Sequence, residues 1–165
     1  MSTVIESNNV LGVEILPFSF NDEEKFKKFY DGLSDQSLNL FYHIPIVRNF
    51  EDASKRLFPK KENPDEEISF LAVVETDIIG WGRMVKGGYF KQYEVMFLVA
   101  DGFQGKGIGI MLLKTLLENA KVLWKDKVSF ATTKFENKAV HKLLEKFGYK
   151  GERRSRDVTI FKRVI

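Results

Sequence analysis

The chain contains no cysteine, which excludes disulfides and thiolate metal sites and suits a reducing compartment. Histidine is scarce as well: His43 and His141 lie far apart, and without cysteines beside them they offer no metal-ligand spacing. No metal is expected. No apolar run approaches the roughly 18 to 20 residues that span a bilayer, and the N-terminus lacks a basic stretch followed by an apolar one, so a soluble, cytoplasmic protein with no membrane partner is expected. Repeats, low-complexity tracts and linkers are also missing, which predicts one domain over residues 1–165.

What is present is apolar mass. With 165 residues, 44% hydrophobic and 13% aromatic, the chain can bury a single core. The net charge of +3 conceals an asymmetry. Residues 1–67 carry 8 Lys/Arg against 13 Asp/Glu, whereas residues 68–165 carry 18 against 10. A basic C-terminal part suits a polyanionic ligand and an acidic N-terminal part a cationic partner; ordinary solvated faces would also account for both.

"NVLGVEILPFS" reads as a first strand ended by Pro17. "NDEEKFKKFYDGLS" follows as a helix with Asn21 or Asp22 as N-cap and Phe26, Phe29, Tyr30 and Leu33 on one face. "SDQSLNLFYHI" and "NFEDASKRLF" read as two short helices broken at Ile44–Pro45, ahead of a loop at Phe58–Glu67. Three β-rich runs then form an antiparallel meander: "EISFLAVVE", "IIGWGRMVKG" and "QYEVMFLVA", turning at Thr76–Asp77 and Gly87–Gly88. Gly80 and Gly82 within it mark a bulge, a close backbone approach or a neutral kink.

A long amphipathic helix with Leu112, Leu113, Leu116, Leu117, Ala120 and Leu123 at helical spacing comes next. After it come the strand "KVSFATTK", the helix "ENKAVHKLLEKF" with Gly148 at C′, and the strands "YKGERRS" and "RDVTIFKRVI". The expected fold class is a mixed α/β (α+β) sheet, mostly antiparallel, of about seven strands with four to five helices. Trp81 and Trp124 read as packing residues.

The most informative stretch joins a strand end to the long helix: Gln104, Gly105, Lys106, Gly107, Ile108, Gly109. A Walker A loop needs a glycine where Ala100 stands and Ser or Thr where Gly107 stands; a dinucleotide fingerprint needs Gly-x-Gly-x-x-Gly, whereas these glycines are spaced two and two. The remaining reading is a glycine loop opening a helix, where the first free N–H groups and the positive end of the dipole form an anion cradle. Lys106 adds charge at its rim, and Gly109 lets the helix sit tightly on the sheet.

Gln104-x-x-Gly107-x-Gly109, with its preceding strand and following helix, resembles the motif of the GNAT superfamily of N-acetyltransferases. "FENKAVHKLLEKFGY" resembles a second segment of that family, with Asn137, Val140, Leu143, Lys146 and Gly148–Tyr149 in register. The resemblance covers Glu67 to the C-terminus in motif and the rest in element order only. It implies acetyl-CoA as acetyl donor, with the amides from Gln104 to Gly109 on the pyrophosphate and backbone groups of Leu98 and Val99 along the pantetheine. Asn137 would bond the cofactor; it is also a natural helix N-cap.

An amine must be neutral to attack a thioester, and a lysine amine with a pKa of about 10.4 is protonated at pH 7. A general base is required. Glu94 is the one acid within "YEVMFLVA", and Glu94 to Val99 resemble the "Glu-φ-x-φ-φ-Val" of the protein-lysine acetyltransferase-like branch, where that Glu is the proposed base. A solvent-facing strand residue is the plainer account of it. The register from Asn137 puts Leu144 where many relatives have a tyrosine acid, and Tyr149 reads as packing.

His141 reads as a solvated helix position that could also approach the cofactor. Arg153, Arg154 and Arg156 lack an aromatic platform, so they read as a protected strand edge rather than a nucleic-acid site. The implied function is acetyl transfer from acetyl-CoA to a primary amine. A protein lysine, an N-terminal amine or a polyamine suits the acidic N-terminal part; a small amine or amino acid, or an acyl-CoA sensor without turnover, are the alternatives. The oligomeric state is left open, a homodimer included.

Overall fold

The computed structural model describes residues 12–41, 46–58, 63, 65–87 and 92–165. The start of the expected first strand before Gly12, His43 with the Ile44–Pro45 break, residues 59–62 and 64 of the Phe58–Glu67 loop, and Gly88 lie outside these residues.

Seven strands form one sheet in the order β1-β2-β3-β4-β5-β7-β6. They are β1 Val13–Pro17, β2 Glu67–Val74, β3 Asp77–Gly87, β4 Gln92–Val99, β5 Val128–Lys134, β6 Lys150–Arg153 and β7 Val158–Val164. All neighbours are antiparallel except β4 and β5, which run parallel. The five α-helices among the described residues are α1 Glu23–Asp31, α2 Asp35–Phe41, α3 Phe50–Leu57, α4 Ile108–Leu123 and α5 Lys138–Lys146. The mixed fold read from the sequence is therefore the one observed.

Local chemistry sets the element ends. Pro17 closes β1, an edge strand where a missing N–H is tolerated. Ahead of α1 the capping is done by Ser19 rather than Asn21 or Asp22 acting alone. Asn21 N–H donates to the Ser19 hydroxyl at 3.3 Å, and Ser19 N–H donates to Asp22 Oδ2 at 3.1 Å, a reciprocal pair that starts a 3₁₀ turn leading into the helix. Gly148, at φ +79, ends α5 as expected. Exposed β6 is the opposite edge of the sheet, in keeping with a basic, protected rim at Arg153.

The two faces of the sheet bury separate apolar clusters. On one, Ile108, Leu112, Leu113 and Leu116 of α4 are fully buried against Ile15, Ala72 and Met84, each leucine contributing about 2 kcal/mol through burial. Gly80 and Gly82 permit that contact: a Cβ on Gly80 would lie 3.0 Å from Ile108 Cγ2, and one on Gly82 would lie 3.1 Å from Leu116 Cδ1. A bulge is present too, since Ala72 pairs with Gly80 but Val73 pairs with Ile78, leaving Ile79 over. On the other face, Phe26, Tyr30, Leu38 and Trp81 pack under α1 to α3, with Trp81 Nε1–H donating to the Ser69 hydroxyl at 3.0 Å. Trp124 stacks on Tyr93 with ring centroids 3.9 Å apart.

Candidate functional site

β4 and β5 are neighbours, yet they pair only at Tyr93–Ser129 and Glu94–Phe130. β4 continues to Val99 and β5 to Lys134, so the strands part and leave a wedge in the sheet. The other edge of β4 is matched to β3 in unbroken register. Ala100 N–H donates to the Ile79 carbonyl at 2.9 Å, which sets the phase of that ladder. Antiparallel bonds come at alternate residues, so Glu94, Met96 and Leu98 bond to β3, while Phe97 and Val99 turn their backbone groups into the wedge. The backbone of Leu98 is thereby engaged with Trp81, and Phe97 takes the position expected of it; Val99 lies where the sequence put it.

The wedge opens into a cleft of about 640 Å³ that includes Gly105 and Gly107 at one end and Glu94 toward the other, a size that suits a small-molecule ligand. Gly105 and Gly107 have φ of +72 and +86, and a Cβ on either would meet nothing within 4 Å. Backbone conformation, not crowding, calls for glycine there, and the outer surface of the loop is open. The first intrahelical bond of α4 runs from Met111 N–H to the Gly107 carbonyl at 3.1 Å, so the amides of Ile108, Gly109 and Ile110 have no helical acceptor. With no acidic residue in the first turn, the positive helix end is uncompensated, which favours an anion. Lys106 rests its ammonium 5.4 Å over the Phe103 ring at the rim.

Gly109 acts differently from the expectation. Its Cβ position faces Leu143 Cδ2 of α5 at 3.2 Å and Phe97 at 3.8 Å, so it sets how closely α5 and β4 approach the helix start. The tight seat of α4 on the sheet belongs to Gly80 and Gly82.

Gln104 is exposed, but its side chain is tied down. Its amide nitrogen donates to the Val99 carbonyl at 3.0 Å and to the Ser37 hydroxyl at 2.9 Å. Asp101 accepts from Ser34 N–H at 2.9 Å, the Ser34 hydroxyl at 2.6 Å and the Ser37 hydroxyl at 2.7 Å. Burial raises the Asp101 carboxyl, but these bonds outweigh it and hold the group below the usual carboxylate range. The start of α2 is thus stitched to the glycine loop, and Lys134 Nζ reaches Asn39 Oδ1 at 2.6 Å to tie α2 to β5. The sequence reading missed Ser34, Ser37 and Asp101. Their signal was a serine N-cap repeated at i+3 and a lone acid just past the strand.

Glu94 projects from the same face of β4 as Met96 and Leu98. Arg83 is opposite Met96, and Glu67 on β2 is opposite Val85, which in turn faces Glu94. Arg83 therefore has Glu67 and Glu94 on opposite diagonals. Its guanidinium goes to Glu67, with Nε donating at 3.1 Å and Nη2 also bonded, in a pair whose side chains are only 8% and 9% exposed. No hydrogen bond reaches the Glu94 carboxylate among the described residues. Burial pushes its carboxyl above the usual range, and the Arg83 charge pulls it only partly back. Glu94 is thus a half-buried carboxylate at the cleft, with a pKa shifted toward the range in which it can accept a proton.

Asn137 caps α5, its Oδ1 accepting from Val140 N–H at 3.3 Å, and its side chain borders the cleft. Leu144 is fully buried. Tyr149 is 2% exposed and bonded to the Ser129 hydroxyl at 2.7 Å, its phenol pushed up to about 12 by burial; it is a core residue and lies outside the cleft. His141 is not solvated as expected. Its Nε2 is 2.9 Å from Thr133 Oγ1 and 3.1 Å from the Lys134 carbonyl, and its ring packs on Phe161 at 4.9 Å, because α5 lies over β5 and β7. Burial lowers its pKa.

Among the described residues, no three His, Asp or Glu side chains gather as a metal site, and no helix is long and apolar enough to cross a membrane. A helix start suited to an anion, leading into unpaired strand backbone with a half-buried carboxylate beyond it, makes a cleft shaped for an extended ligand with an anionic end. Residues 27–149 match the acetyltransferase (GNAT) family; the chain belongs to that family, and acetyl-CoA is its acetyl donor.

Solved structures agree on the fold. The GNAT domain of PAT from S. lividans is 21% identical with a TM-score of 0.82, covering 93% of this chain and 90% of that one. The ribosomal-protein-S5-alanine acetyltransferase from Vibrio fischeri is 14% identical with a TM-score of 0.80, covering 98% and 96%. The spermidine N-acetyltransferase from Vibrio cholerae, in complex with CoA and spermine, is 16% identical with a TM-score of 0.70, covering 93% and 95%.

Proposed function

We propose that this protein transfers acetyl to a primary amine by direct transfer in a ternary complex, with Glu94 as general base. The observation that carries the reading is the wedge itself, which joins the Gln104–Gly109 cradle to an unpaired, half-buried carboxylate. The amides of Ile108, Gly109 and Ile110 would hold the pyrophosphate, with Lys106 at the rim. Phe97 and Val99 would bond the pantetheine amides as if to a further strand, and Asn137 would bond it from the other side. When bound, acetyl-CoA supplies the thioester carbonyl that the amine attacks.

Glu94 removes the ammonium proton, directly or through a water, and its raised pKa brings it nearer the pH at which it must accept one. Leu144 in place of a tyrosine supports a second reading, an acyl-CoA sensor without turnover. A thiol with a pKa near 8.5 leaves readily without an acid, so catalysis is the better reading. A protein lysine or N-terminal amine is the acceptor favoured by the Glu94 register, and the domain is taken as single over residues 1–165.

Thermal melts with acetyl-CoA, CoA, ATP or NADH at equal excess test the cradle. At about 100 times Kd a ligand adds roughly 2.7 kcal/mol. Stabilisation by acetyl-CoA and CoA alone is the expected result, and a larger shift with ATP or NADH would refute it.

A further inference from the structure

The acceptor half of the cleft is bounded by Leu40 and Phe41 of α2, Arg56 and Leu57 of α3, and Glu94 and Met96 of β4. Although residues 1–67 are acidic in balance, the described residues from that part that face the cleft include no acid. Four of its acids are ion-paired elsewhere: Asp31 with Lys27, Asp35 with Arg48, Asp52 with Lys55, Glu67 with Arg83. The same pairs neutralise Lys27, Arg48, Lys55 and Arg83. Arg56 has no ion-pair partner among the described residues; it is exposed and borders the cleft, and it also borders a shallower hollow beside Arg48 and Asp52, where its charge helps lower the Asp52 carboxyl.

The backbone that carries Arg56 is held in place. Arg83 Nη1 donates to the Arg56 carbonyl at 2.9 Å and the Leu57 carbonyl at 3.3 Å, capping the last carbonyls of α3. Arg83 stands opposite Met96, two residues from Glu94 on the same face. One buried residue therefore sets Arg56 on the same wall as the base. A cation in the last turn also suits the helix dipole, but that is equally true of Lys55, which turns to Asp52 on the helix surface.

Resting on the acetyltransferase reading, we infer that the acceptor carries a carboxylate close to its amine, and that Arg56 binds the carboxylate while Glu94 takes the ammonium. Arg56 thus selects an amino-carboxylate, either a free amino acid or an amine flanked by an acidic residue in a peptide. Leu40, Phe41, Leu57 and Met96 give the wall an apolar surface, so an apolar side chain completes the preferred acceptor. A polyamine would place a second cation against Arg56 and is disfavoured.

The test is CoA release from acetyl-CoA with four acceptor groups: free apolar amino acids, their amides, spermidine, and lysine peptides flanked by glutamate or by lysine. Expected is a preference for the amino acids over their amides, or for glutamate-flanked over lysine-flanked peptides, the pair that responds identifying the source. Arg56→Ala should lower kcat/KM for the preferred acceptor about ten- to a hundredfold, mainly through KM, as for loss of a charged hydrogen bond. Arg56→Lys should restore part of it, and Arg56→Glu should move the preference toward cationic acceptors.

Equal use of charged and uncharged partners, turnover confined to spermidine, no turnover of any acceptor, or an unchanged preference in Arg56→Ala would each overturn the inference. Melts with acetyl-CoA run alongside separate the two levels. An intact acetyl-CoA shift with the wrong acceptor profile sinks only the Arg56 assignment, whereas loss of that shift in the wild type sinks the reading beneath it.

Discussion

Glu94→Gln should remove most of the activity and, near neutral pH, make the protein more stable. The carboxylate sits half-buried beside Met96 and Leu98, and Arg83 is committed to Glu67. Burial raises its pKa in the folded state above the roughly 4.3 of an unfolded chain. A raised carboxyl favours folding only while protonated. The native glutamate therefore costs nothing below the ordinary glutamate range, and it costs progressively more as pH rises through the raised value, reaching its full cost above it.

Glutamine keeps the shape without the charge. The melting temperature of Glu94→Gln should equal that of the wild type near pH 4 and exceed it at pH 7 to 8. Loss of a general base should lower kcat/KM by about 10² to 10⁴, roughly 3 to 5 kcal/mol of transition-state stabilisation. A thiol reagent reads CoA release without background, because the chain has no cysteine. The wild type should show an acid limb whose midpoint lies above the usual carboxylate range, and the limb should vanish in the variant. Turnover within about threefold of the wild type, or a variant less stable than the wild type at neutral pH, would refute the assignment.

Gly107→Ala forces an L-residue to φ +86 and should cost about 1 to 2 kcal/mol while shrinking the acetyl-CoA melting shift; an unchanged shift would remove the loop from the cradle. Gly80→Val places a side chain 3.0 Å from Ile108 and 3.2 Å from Leu112 and should destabilise by about 1 to 3 kcal/mol in urea melts. Tyr149→Phe strands the buried Ser129 hydroxyl, costing about 1 to 3 kcal/mol with kcat unchanged; a large loss of kcat would make Tyr149 an acid after all. Leu144→Tyr should lower stability by a similar overpacking cost without raising kcat, since Leu144 is fully buried.

Much of this was legible because local chemistry dictates it. Glycines that need positive φ, a cap at Asn137 and a stop at Gly148 are visible in any stretch that contains them. The fold class followed. Less legible were features that depend on where strands stop pairing. That β4 leaves β5 after Glu94 has no local signature, and neither does the ladder phase that gives Phe97, not Leu98, the wedge-facing amide. His141 looked solvated because its burial comes from Phe161, twenty residues on. Nothing local in the sequence singles out Arg56, whose place beside the cleft depends on how the end of α3 is held by Arg83. The charge balance of residues 1–67 has the same limit, since composition does not say which charges are paired.

The split between β4 and β5 carries a cost that explains the rest of the site. Backbone groups turned into a gap inside a sheet must find water or a partner, since an unmet buried donor or acceptor costs about 1 to 3 kcal/mol. The Val99 carbonyl has Gln104; Phe97 has no strand to face. α2 covers one side of the gap, fastened by Asp101 to the glycine loop and by Lys134 to β5. α5 closes on Gly109 from the other, with Leu143 in contact. Such a gap suits an extended ligand that carries amides along its length, because only a strand-like partner satisfies alternate groups on one edge. The glycine loop lies at one end of that edge, and Glu94 stands at the last paired rung at the other. A ligand anchored in the cradle and laid along β4 is therefore delivered to the carboxylate by the strand geometry itself.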